Sequence, residues 1–371
     1  MAKLKYHYDY VGSFLRPGYV RDARRQFEAG ELTAEELAKV EDKAVSALVE
    51  DLKKTGYHDF TDGEFRRRYW HLDFLASLEG TKEIKAEKWS VDFKGAQPKA
   101  ATVKIVGELG FGEDNPFLAH FDYLKSVTPE DIDVKMTVPS PSMLHLICCV
   151  REENYEPIAI YENEEALYDA MVCTYQDVVK AFYAHGCRYL QFDDTSWGEF
   201  CDETKRKAYA DRGIDVDAVG KHYVDVINRV LEVKPEDMTI TMHICRGNFR
   251  STWFSSGGYE PVAETLFAHC KVDAFFLEYD SDRAGDFSPL RYIKDQQVVL
   301  GLITSKFPAL EDKEEVKARI KEAAQYVPLE QLALSPQCGF ASCEEGNEMT
   351  EEQQWAKLAL VKDIAEDVWG K

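Results

Sequence analysis

The sequence lacks features that define several classes of protein. No apolar stretch approaches the about 20 residues of a membrane-spanning helix, so we expect no membrane partner. Basic residues are too few for a nucleic-acid partner, since 45 Lys and Arg stand against 67 Asp and Glu, a net charge of −22. There is no low-complexity segment and no linker rich in proline or serine. These absences leave a folded globular chain, and its apolar content of 45% is ordinary for one.

Signals for export and for phosphate binding are also missing. Residues 1–8 contain no apolar core of a secretory signal, so we expect a cytoplasmic protein whose nine cysteines are reduced thiols. An open, doubly wound sheet is the main alternative for an α/β chain of this length. Its Gly-rich phosphate turn is not found, because the segment Val11–Pro17 lacks the GxGxxG spacing, and no P-loop is present.

What the sequence does contain is an alternation of short apolar runs with longer amphipathic segments. The runs are strand candidates at Tyr10–Ser13, His58–Thr61, Ile132–Met136, Tyr189–Phe192, Thr239–Met242, Ala274–Leu277, Val298–Gly301 and Leu332–Leu334. Strands alternating with helices in this way predict an α/β fold, a (β/α)8 TIM barrel that forms a single catalytic domain over residues 1–371. Residues 76–116 break the alternation and predict an insertion after the second strand, a hairpin over one mouth that carries Trp89, Phe93 and Gly107–Gly112.

Small or polar residues end or follow almost every predicted strand. They include Gly12, Ser13, Asp62, Glu64, Asp193, Asp194, His243, Cys245, Glu278, Thr304, Lys306, Gln337 and Cys338. In TIM barrels the active site lies at the C-terminal ends of the strands. A layer that only packed would be apolar there, so this pattern is typical of a functional site.

One chemical set stands out among these residues: His243, Cys245, Glu278 and Cys338. Imidazole, thiolate and carboxylate groups are suitable ligands for tetrahedral zinc, and side chains two apart in an extended segment share a face. Taken singly, each residue is more simply a buried thiol or a hydrogen-bonded histidine, but their common place at strand ends favours zinc. Such a zinc is either closed and structural or able to exchange a ligand for a substrate thiol, which indicates thiol alkylation.

The acidic residues at the strand ends allow two interpretations. An aspartate after a strand often begins a helix, and Asp62 could simply form a turn. Alternatively, Glu64, Asp193 and Asp194 face one barrel mouth, where they would suit a substrate ammonium group. Trp70 fits a core position as well as a lid.

Six short segments, in the same order along the chain, resemble the C-terminal catalytic barrel of cobalamin-independent methionine synthase, and more narrowly the single-barrel bacterial relatives of that enzyme. They are Val11–Phe14, Asp62–Glu64, Gln191–Asp194, Met242–Cys245, Leu277–Tyr279 and Ser335–Gly339. Each segment is short, but together they cover nearly the whole chain and are specific.

The resemblance implies a reaction and a set of roles. The matching positions are His243, Cys245, Glu278 and Cys338 as zinc ligands, Val11, Gly12 and Ser13 for the homocysteine carboxylate, Glu64 and Asp193 for its ammonium group, and Glu199 on the pterin side. The implied reaction moves a methyl group from methyltetrahydrofolate polyglutamate to the zinc-bound homocysteine thiolate, which gives methionine.

The donor side of the resemblance contains departures. Thr304 stands where the family has a proton-donating histidine, and His145 stands where it has a tryptophan beside the pterin. The family's N-terminal barrel is absent, and its Arg-Cys pair has no clear counterpart in the inserted region. Transfer to a thiol is therefore the firmer expectation, and methyltetrahydrofolate as the donor is the weaker one.

Two other functions fit parts of the pattern. Epoxyalkane–coenzyme M transferases share the barrel and the ligand set, but a coenzyme M site needs a cation for a sulfonate. Glu64 and Asp193 favour an amino-acid thiol instead. A non-catalytic barrel with structural zinc is the other alternative. The sequence leaves open the donor, the proton donor, the oligomeric state and any protein partner.

Overall fold

The computed structural model describes residues 4–85, 93 and 101–370. The strands are β1 (Asp59–Phe60), β2 (Glu79–Lys85), β3 (Ala101–Gly110), β4 (Asp133–Pro139), β5 (Tyr189–Asp194), β6 (Thr239–Ile244), β7 (Ala274–Glu278), β8 (Gln297–Ile303) and β9 (Leu332–Pro336). The α-helices are α1 (Gly18–Glu28), α2 (Ala34–Thr55), α3 (Leu72–Leu75), α4 (Pro116–Val127), α5 (Pro141–His145), α6 (Glu164–Ala184), α7 (Ser196–Phe200), α8 (Glu203–Asp211), α9 (Val216–Val230), α10 (Glu260–His269), α11 (Lys313–Ala323) and α12 (Glu351–Trp369).

Seven strands form one curved parallel sheet in the order β1-β4-β5-β6-β7-β8-β9. The N-terminal segment lies between the two edges of this sheet. Tyr8 forms a parallel bridge with Leu334 in β9, and the Tyr10 hydroxyl donates to the Asp59 carbonyl at the start of β1, at 2.7 Å. The predicted (β/α)8 barrel is confirmed, with this segment in the place of the first strand.

The prediction of a regular strand at Tyr10–Ser13 is wrong, because other groups take its backbone hydrogen bonds. The Tyr10 N–H donates to the Asp9 carboxylate at 2.6 Å, and the Thr61 hydroxyl donates to the Gly12 carbonyl at 2.7 Å. The segment therefore enters the barrel mouth as irregular backbone, not as a ladder strand.

The predicted insertion contains an antiparallel hairpin of β2 and β3. Trp89 lies outside the described residues, whereas Phe93 is described. The Phe93 ring lies 5.5 Å from that of Phe249 and 5.1 Å from that of Phe254, both in the loop after β6. Because that loop leaves the C-terminal end of β6, the insertion reaches over the mouth at which the candidate site lies.

The main apolar core lies between the sheet and its helices, where Leu190 and Leu300 are fully buried. A smaller cluster packs separately from it and contains Val11, Phe276, Val299 and Ala333. Polar groups are buried beside this cluster, since the Lys135 ammonium lies 4.5 Å from the centre of the Phe276 ring and bonds the Asp9 carboxylate at 3.0 Å. Among the described helices, none has the length and apolarity needed to cross a membrane.

Candidate metal centre and active site

The ends of β6, β7 and β9 bring the four predicted ligands together. His243 is the penultimate residue of β6 and Cys245 follows that strand directly, while Glu278 is the last residue of β7. Cys338 follows β9 by two residues. Since all these strands are parallel, their carboxyl ends meet at one edge of the sheet, and the ligand side chains meet with them.

The geometry of the four side chains fits a single metal ion. One ligand atom from each residue lies within 4.8 Å of all the others, and all four side chains are buried. The Cys245 and Cys338 sulfur atoms are 3.7 Å apart, and His243 Nε2 lies 3.9 Å from Glu278 Oε1. Within the described residues, His243 Nε2 has no hydrogen-bond partner although it is buried. A metal ion would supply that missing partner.

The ionisation of two ligands also suits a metal. Burial, together with the nearby Lys135 ammonium, lowers the pKa of His243 to about 3, so the imidazole is neutral and its lone pair is available. The hydrogen bond with Cys338 and then burial raise the pKa of the Cys245 thiol well above its usual range. Without a cation, therefore, this thiol keeps its proton, and metal binding would release it.

Three of the four candidate ligands contact a neighbouring group. The Gly247 N–H donates to Cys245 Sγ at 3.3 Å, and Asp193 Oδ1 lies 3.6 Å from His243 Nδ1. Glu278 is approached from both sides, by Gln337 Nε2 at Oε1 and by Arg283 Nη2 at Oε2, each at 3.4 Å. Such outer contacts orient metal ligands and tune their affinity.

A cavity with about 290 Å³ of empty volume opens beside three of the ligands. Its lining residues are Val11, Ser13, Glu64, Trp70, Asp193, His243, Cys245, Cys338, Gly339 and Ser342. The structure thus brings the two predicted substrate acids and the N-terminal segment to the thiol ligands. Gly12 is not part of the lining, but it lies between two residues that are.

One of the two acids in this cavity, Glu64, has a salt bridge, whereas Asp193 has none with a lysine or arginine of the described residues. Glu64 Oε1 accepts from the Thr137 hydroxyl at 3.0 Å and lies 3.4 Å from Arg67 Nη1, whereas Oε2 has no hydrogen-bond partner in the described part of the chain. Burial raises the pKa of Glu64, and burial and then the charge of Glu64 raise that of Asp193. A substrate cation between them would relieve this repulsion.

Asp194 has a different role from its neighbour. Its carboxylate accepts from the Ser196 N–H at 2.6 Å and from the Ser140 hydroxyl at 2.5 Å, and it does not line the cavity. The interpretation of a strand-end aspartate as a structural residue therefore fits Asp194, whose carboxylate bonds the first residue of α7, although Thr195 is the N-cap of that helix. Asp193, one residue earlier, points to the opposite face of β5 because strand side chains alternate.

Glu199, predicted on the donor side, is already paired. In α7 its carboxylate accepts from Arg151 Nε at 3.0 Å, from Arg151 Nη2, and from the Tyr209 hydroxyl at 2.5 Å. The side chains of Glu199 and Arg151 are almost completely buried. This glutamate is part of a closed ion pair and does not line the cavity.

The other two donor-side residues lie apart from the cavity lining. His145 Nδ1 lies 3.0 Å from the Tyr223 hydroxyl, and Nε2 lies 3.6 Å from Glu164, so the ring contacts α9 and α6. The Thr304 hydroxyl lies 3.4 Å from Gln337 Oε1, and Gln337 in turn contacts a predicted ligand. Neither residue touches the thiol cavity directly.

Sequence reasoning missed several residues that complete the site. Ser342 lines the cavity, and Arg283 holds a ligand carboxylate. Trp70, which fitted core and lid equally well, lines the cavity and stacks on His71 at 4.5 Å between ring centres. The only available signal was proximity in sequence, since Ser342 follows Cys338 by four residues and Arg283 follows Glu278 by five.

Fold and site together define a class of protein: a parallel α/β barrel with a cluster of thiol, imidazole and carboxylate groups at its C-terminal mouth. The chain belongs to the cobalamin-independent methionine synthase family, because the model described as "Cobalamin-independent synthase, Catalytic domain" matches residues 9–366. The resemblance deduced from the sequence is thereby confirmed.

Individual proteins are similar to this chain along nearly its whole length. The chain is 47% identical over 370 residues to the uncharacterized protein YxjH of Bacillus subtilis, covering 99% of this chain and 96% of that one. A crystal structure from Listeria monocytogenes, described as a candidate vitamin B12-independent methionine synthase, is 41% identical, with a TM-score of 0.80 and full coverage of both chains. A B12-independent methionine synthase from Shewanella sp. W3-18-1, in complex with selenomethionine, shares the fold at 18% identity and a TM-score of 0.72, covering 98% and 97%.

Proposed function

We propose that this protein is a zinc-dependent S-methyltransferase that methylates homocysteine to methionine. The observation that carries the proposal is that one cavity is lined both by candidate metal ligands and by two buried acids, Glu64 and Asp193. A thiol that also bears an ammonium group matches this combination. Homocysteine has both groups at opposite ends of a short chain.

The metal end of the cavity would activate the thiol. When bound by His243, Cys245, Glu278 and Cys338, zinc supplies a site at which a substrate thiol loses its proton at neutral pH and remains nucleophilic. The protein keeps this end ready through its own contacts, because the imidazole is neutral and its Nε2 lacks another partner among the described residues. Glu278 is the ligand most easily displaced, since a carboxylate binds zinc less firmly than a thiolate does.

The acidic end would bind the amino-acid part of the substrate. The unpartnered Glu64 Oε2 is available to accept from an ammonium group, and Asp193 contributes the second charge. The backbone of Val11, Gly12 and Ser13 would hold the substrate carboxylate; Val11 and Ser13 line the same cavity. A charge-assisted hydrogen bond contributes about 1.5–3 kcal/mol, so each acid matters measurably.

The proposed donor is a methyltetrahydrofolate, in its polyglutamate form. This part of the proposal rests on the family alone, because Glu199 is held by Arg151 and Tyr209, and His145 lies against α6 and α9. The thiol acceptor is therefore better supported than the donor.

The alternatives fit the cavity less well. A coenzyme M site needs a cation for the sulfonate, and no Lys or Arg is among the described residues that line this cavity. A purely structural zinc site would not require an adjacent cavity lined by two buried acids.

Turnover of homocysteine tests the proposal. The zinc-loaded protein would be incubated with homocysteine and with each candidate donor: mono- and polyglutamylated methyltetrahydrofolate, methylcobalamin and S-methylmethionine. We expect methionine from the folate donors, and more from the polyglutamate. Methionine from S-methylmethionine only would retain the thiol acceptor and overturn the folate donor; absence of methionine with every donor would contradict the methyltransferase assignment.

A further inference from the structure

A buried lysine close to the four candidate metal ligands has no acidic partner among the described residues. Lys306 follows β8, and its side chain is completely buried. Its ammonium donates to the Gly247 carbonyl at 3.2 Å and to Asn248 Oδ1 at 3.1 Å, both neutral acceptors. Within the described part of the chain, no carboxylate forms a salt bridge with it. An unpaired cation in the interior is costly, so its charge must be offset by something else nearby.

The other two completely buried lysines show the usual solution. Lys135 bonds Asp9 at 3.0 Å, and Lys357 bonds both oxygens of Glu311 at 2.9 Å. Lys306 differs from them in having only a carbonyl and an amide as partners. That difference calls for a counter-charge of another kind.

The contacts of Lys306 lead to both thiol ligands. Gly247, whose carbonyl accepts from the lysine, donates its N–H to Cys245 Sγ at 3.3 Å. Asn248 donates through Nδ2 to Ser342 Oγ at 3.3 Å, and that hydroxyl lies 3.9 Å from Cys338 Sγ. The lysine is therefore one residue away from the first sulfur and two residues away from the second.

With zinc bound, the candidate metal site would carry a charge equal and opposite to that of Lys306. A zinc dication with two thiolates and one carboxylate carries one net negative charge, and it keeps that charge if a substrate thiolate replaces the carboxylate. Arg283 is shared between Glu278, at 3.4 Å, and Asp280, at 2.7 Å, so its charge does not serve the centre alone.

We propose that Lys306 is a positioning residue that acts as the counter-ion of the metal-thiolate centre, and that it stabilises the bound metal through charge while holding the Cys245 and Cys338 loops through Gly247 and Asn248. This inference rests on the metal site of the proposed function. It predicts that removing the charge weakens zinc binding even when the fold is intact.

The test measures the zinc dissociation constant of the full-length protein by competition with a chelator of known affinity. Lys306→Met and Lys306→Gln should each weaken zinc binding by about tenfold to a hundredfold, the usual cost of losing an outer-shell partner, and Lys306→Arg should restore most of it. The matched control is Lys357→Met, which removes a lysine equally buried but bonded to Glu311; it should lower the thermal midpoint and leave the zinc constant unchanged.

A second pair of variants keeps the lysine in place. Asn248→Asp puts a carboxylate against the Lys306 ammonium and so neutralises it, and it also loses the bonds donated by Asn248 Nδ2. Asn248→Ala loses those donated bonds as well, but it adds no charge. We expect Asn248→Asp to weaken zinc binding more than Asn248→Ala does. This pair of variants tests the counter-ion role of Lys306 even if Lys306→Met fails to fold.

The outcomes separate this inference from the proposed function. Wild-type protein that binds no zinc overturns both. Wild-type protein that binds zinc overturns the role of Lys306 alone if folded Lys306→Met or Lys306→Gln binds equally tightly, if Lys306→Arg is as weak as Lys306→Met, if Lys357→Met is just as weak, or if Asn248→Asp is no weaker than Asn248→Ala.

Discussion

The barrel mouth has two halves that are built from different elements. The thiol half contains the four candidate metal ligands with Glu64 and Asp193, and the donor half contains the positions that match the family's pterin side. The thiol half takes its groups from strand ends, where sheet register brings His243 and Glu278 within 3.9 Å of each other. The donor half takes Glu199 and His145 from the helices α7 and α5, and each is already engaged by other side chains. Strand ends are positioned by the whole barrel, whereas short helices depend on local partners. The candidate ligands are therefore held in place by the barrel itself, whereas Glu199 and His145 are held by other side chains.

Removal of a thiol ligand should have the largest effect on the thiol half. Cys245→Ser or Cys338→Ser should weaken zinc binding by at least about a hundredfold, because even outer-shell changes cost tenfold to a hundredfold. Cys270→Ser is the control, since Cys270 is a fully buried thiol outside the cluster. Metal analysis of the purified variants checks this, and full zinc content in both ligand variants would refute the assignment.

Breaking the ion pair of the donor half should affect stability instead. Glu199→Gln leaves the buried Arg151 without its carboxylate, which typically costs about 3–5 kcal/mol. Zinc affinity should stay within about threefold of wild type, because Glu199 contacts none of the four ligands. Glu164→Gln, which changes a largely exposed glutamate, is the control and should cost little. Urea unfolding measures the free energy of unfolding. A Glu199→Gln protein that is as stable as wild type but loses zinc would show that Glu199 serves the metal site and not stability.

Asp193 lies beside the candidate metal ligand His243 and also belongs to the proposed ammonium site. Asp193→Asn should raise the KM for homocysteine by about tenfold to a hundredfold through loss of a charge-assisted bond. It should also weaken zinc binding modestly, because Asp193 lies 3.6 Å from His243 Nδ1. The control is Asp194→Asn, whose carboxylate bonds Ser140 and Ser196 outside the cavity. Equal effects of the two variants on KM would show that Asp193 is structural.

The pH dependence of thiol binding should show the smallest effect. The pKa of Glu64 is raised by burial, and that of Asp193 is raised by burial and by Glu64. Only ionised carboxylates bind an ammonium group, so homocysteine binding should weaken as pH falls through these raised values, by up to about tenfold per pH unit. A thiol that lacks the amino group, mercaptobutyrate with its sulfur on the terminal carbon, should bind without this acidic limb. Identical pH profiles for both thiols would contradict the role of the acids.

Much of the thiol half could be predicted from the sequence because periodicity carries the information. The alternation of strand side chains places His243 and Cys245 on one face, and the order of the strands brings Glu278 and Cys338 beside them. The same alternation separates Asp193 from Asp194. The alternation alone does not say which of the two faces the cavity; the family resemblance selected Asp193.

Contacts made by loops could not be predicted in the same way. Arg283 reaches Glu278 from a short 3₁₀ turn, Asp282–Ala284, whose path no periodic pattern specifies. The pairing of Glu199 with Arg151 joins residues 48 apart in sequence. The prediction of a regular strand at Tyr10–Ser13 failed for a related reason, since the Thr61 side chain takes the backbone hydrogen bond of the Gly12 carbonyl.

The most direct test of the account compares homocysteine with the same amine-free mercaptobutyrate on wild type and on Glu64→Gln. Glu64 is the better position for it, because its Oε2 has no partner among the described residues and it contacts no predicted ligand, unlike Asp193. We expect Glu64→Gln to raise the KM for homocysteine by about tenfold to a hundredfold, to leave the binding of mercaptobutyrate unchanged, and to keep full zinc content. Equal weakening of both thiols, or no weakening of homocysteine, would contradict the claim that one cavity binds the thiol at the metal and the ammonium at the acids.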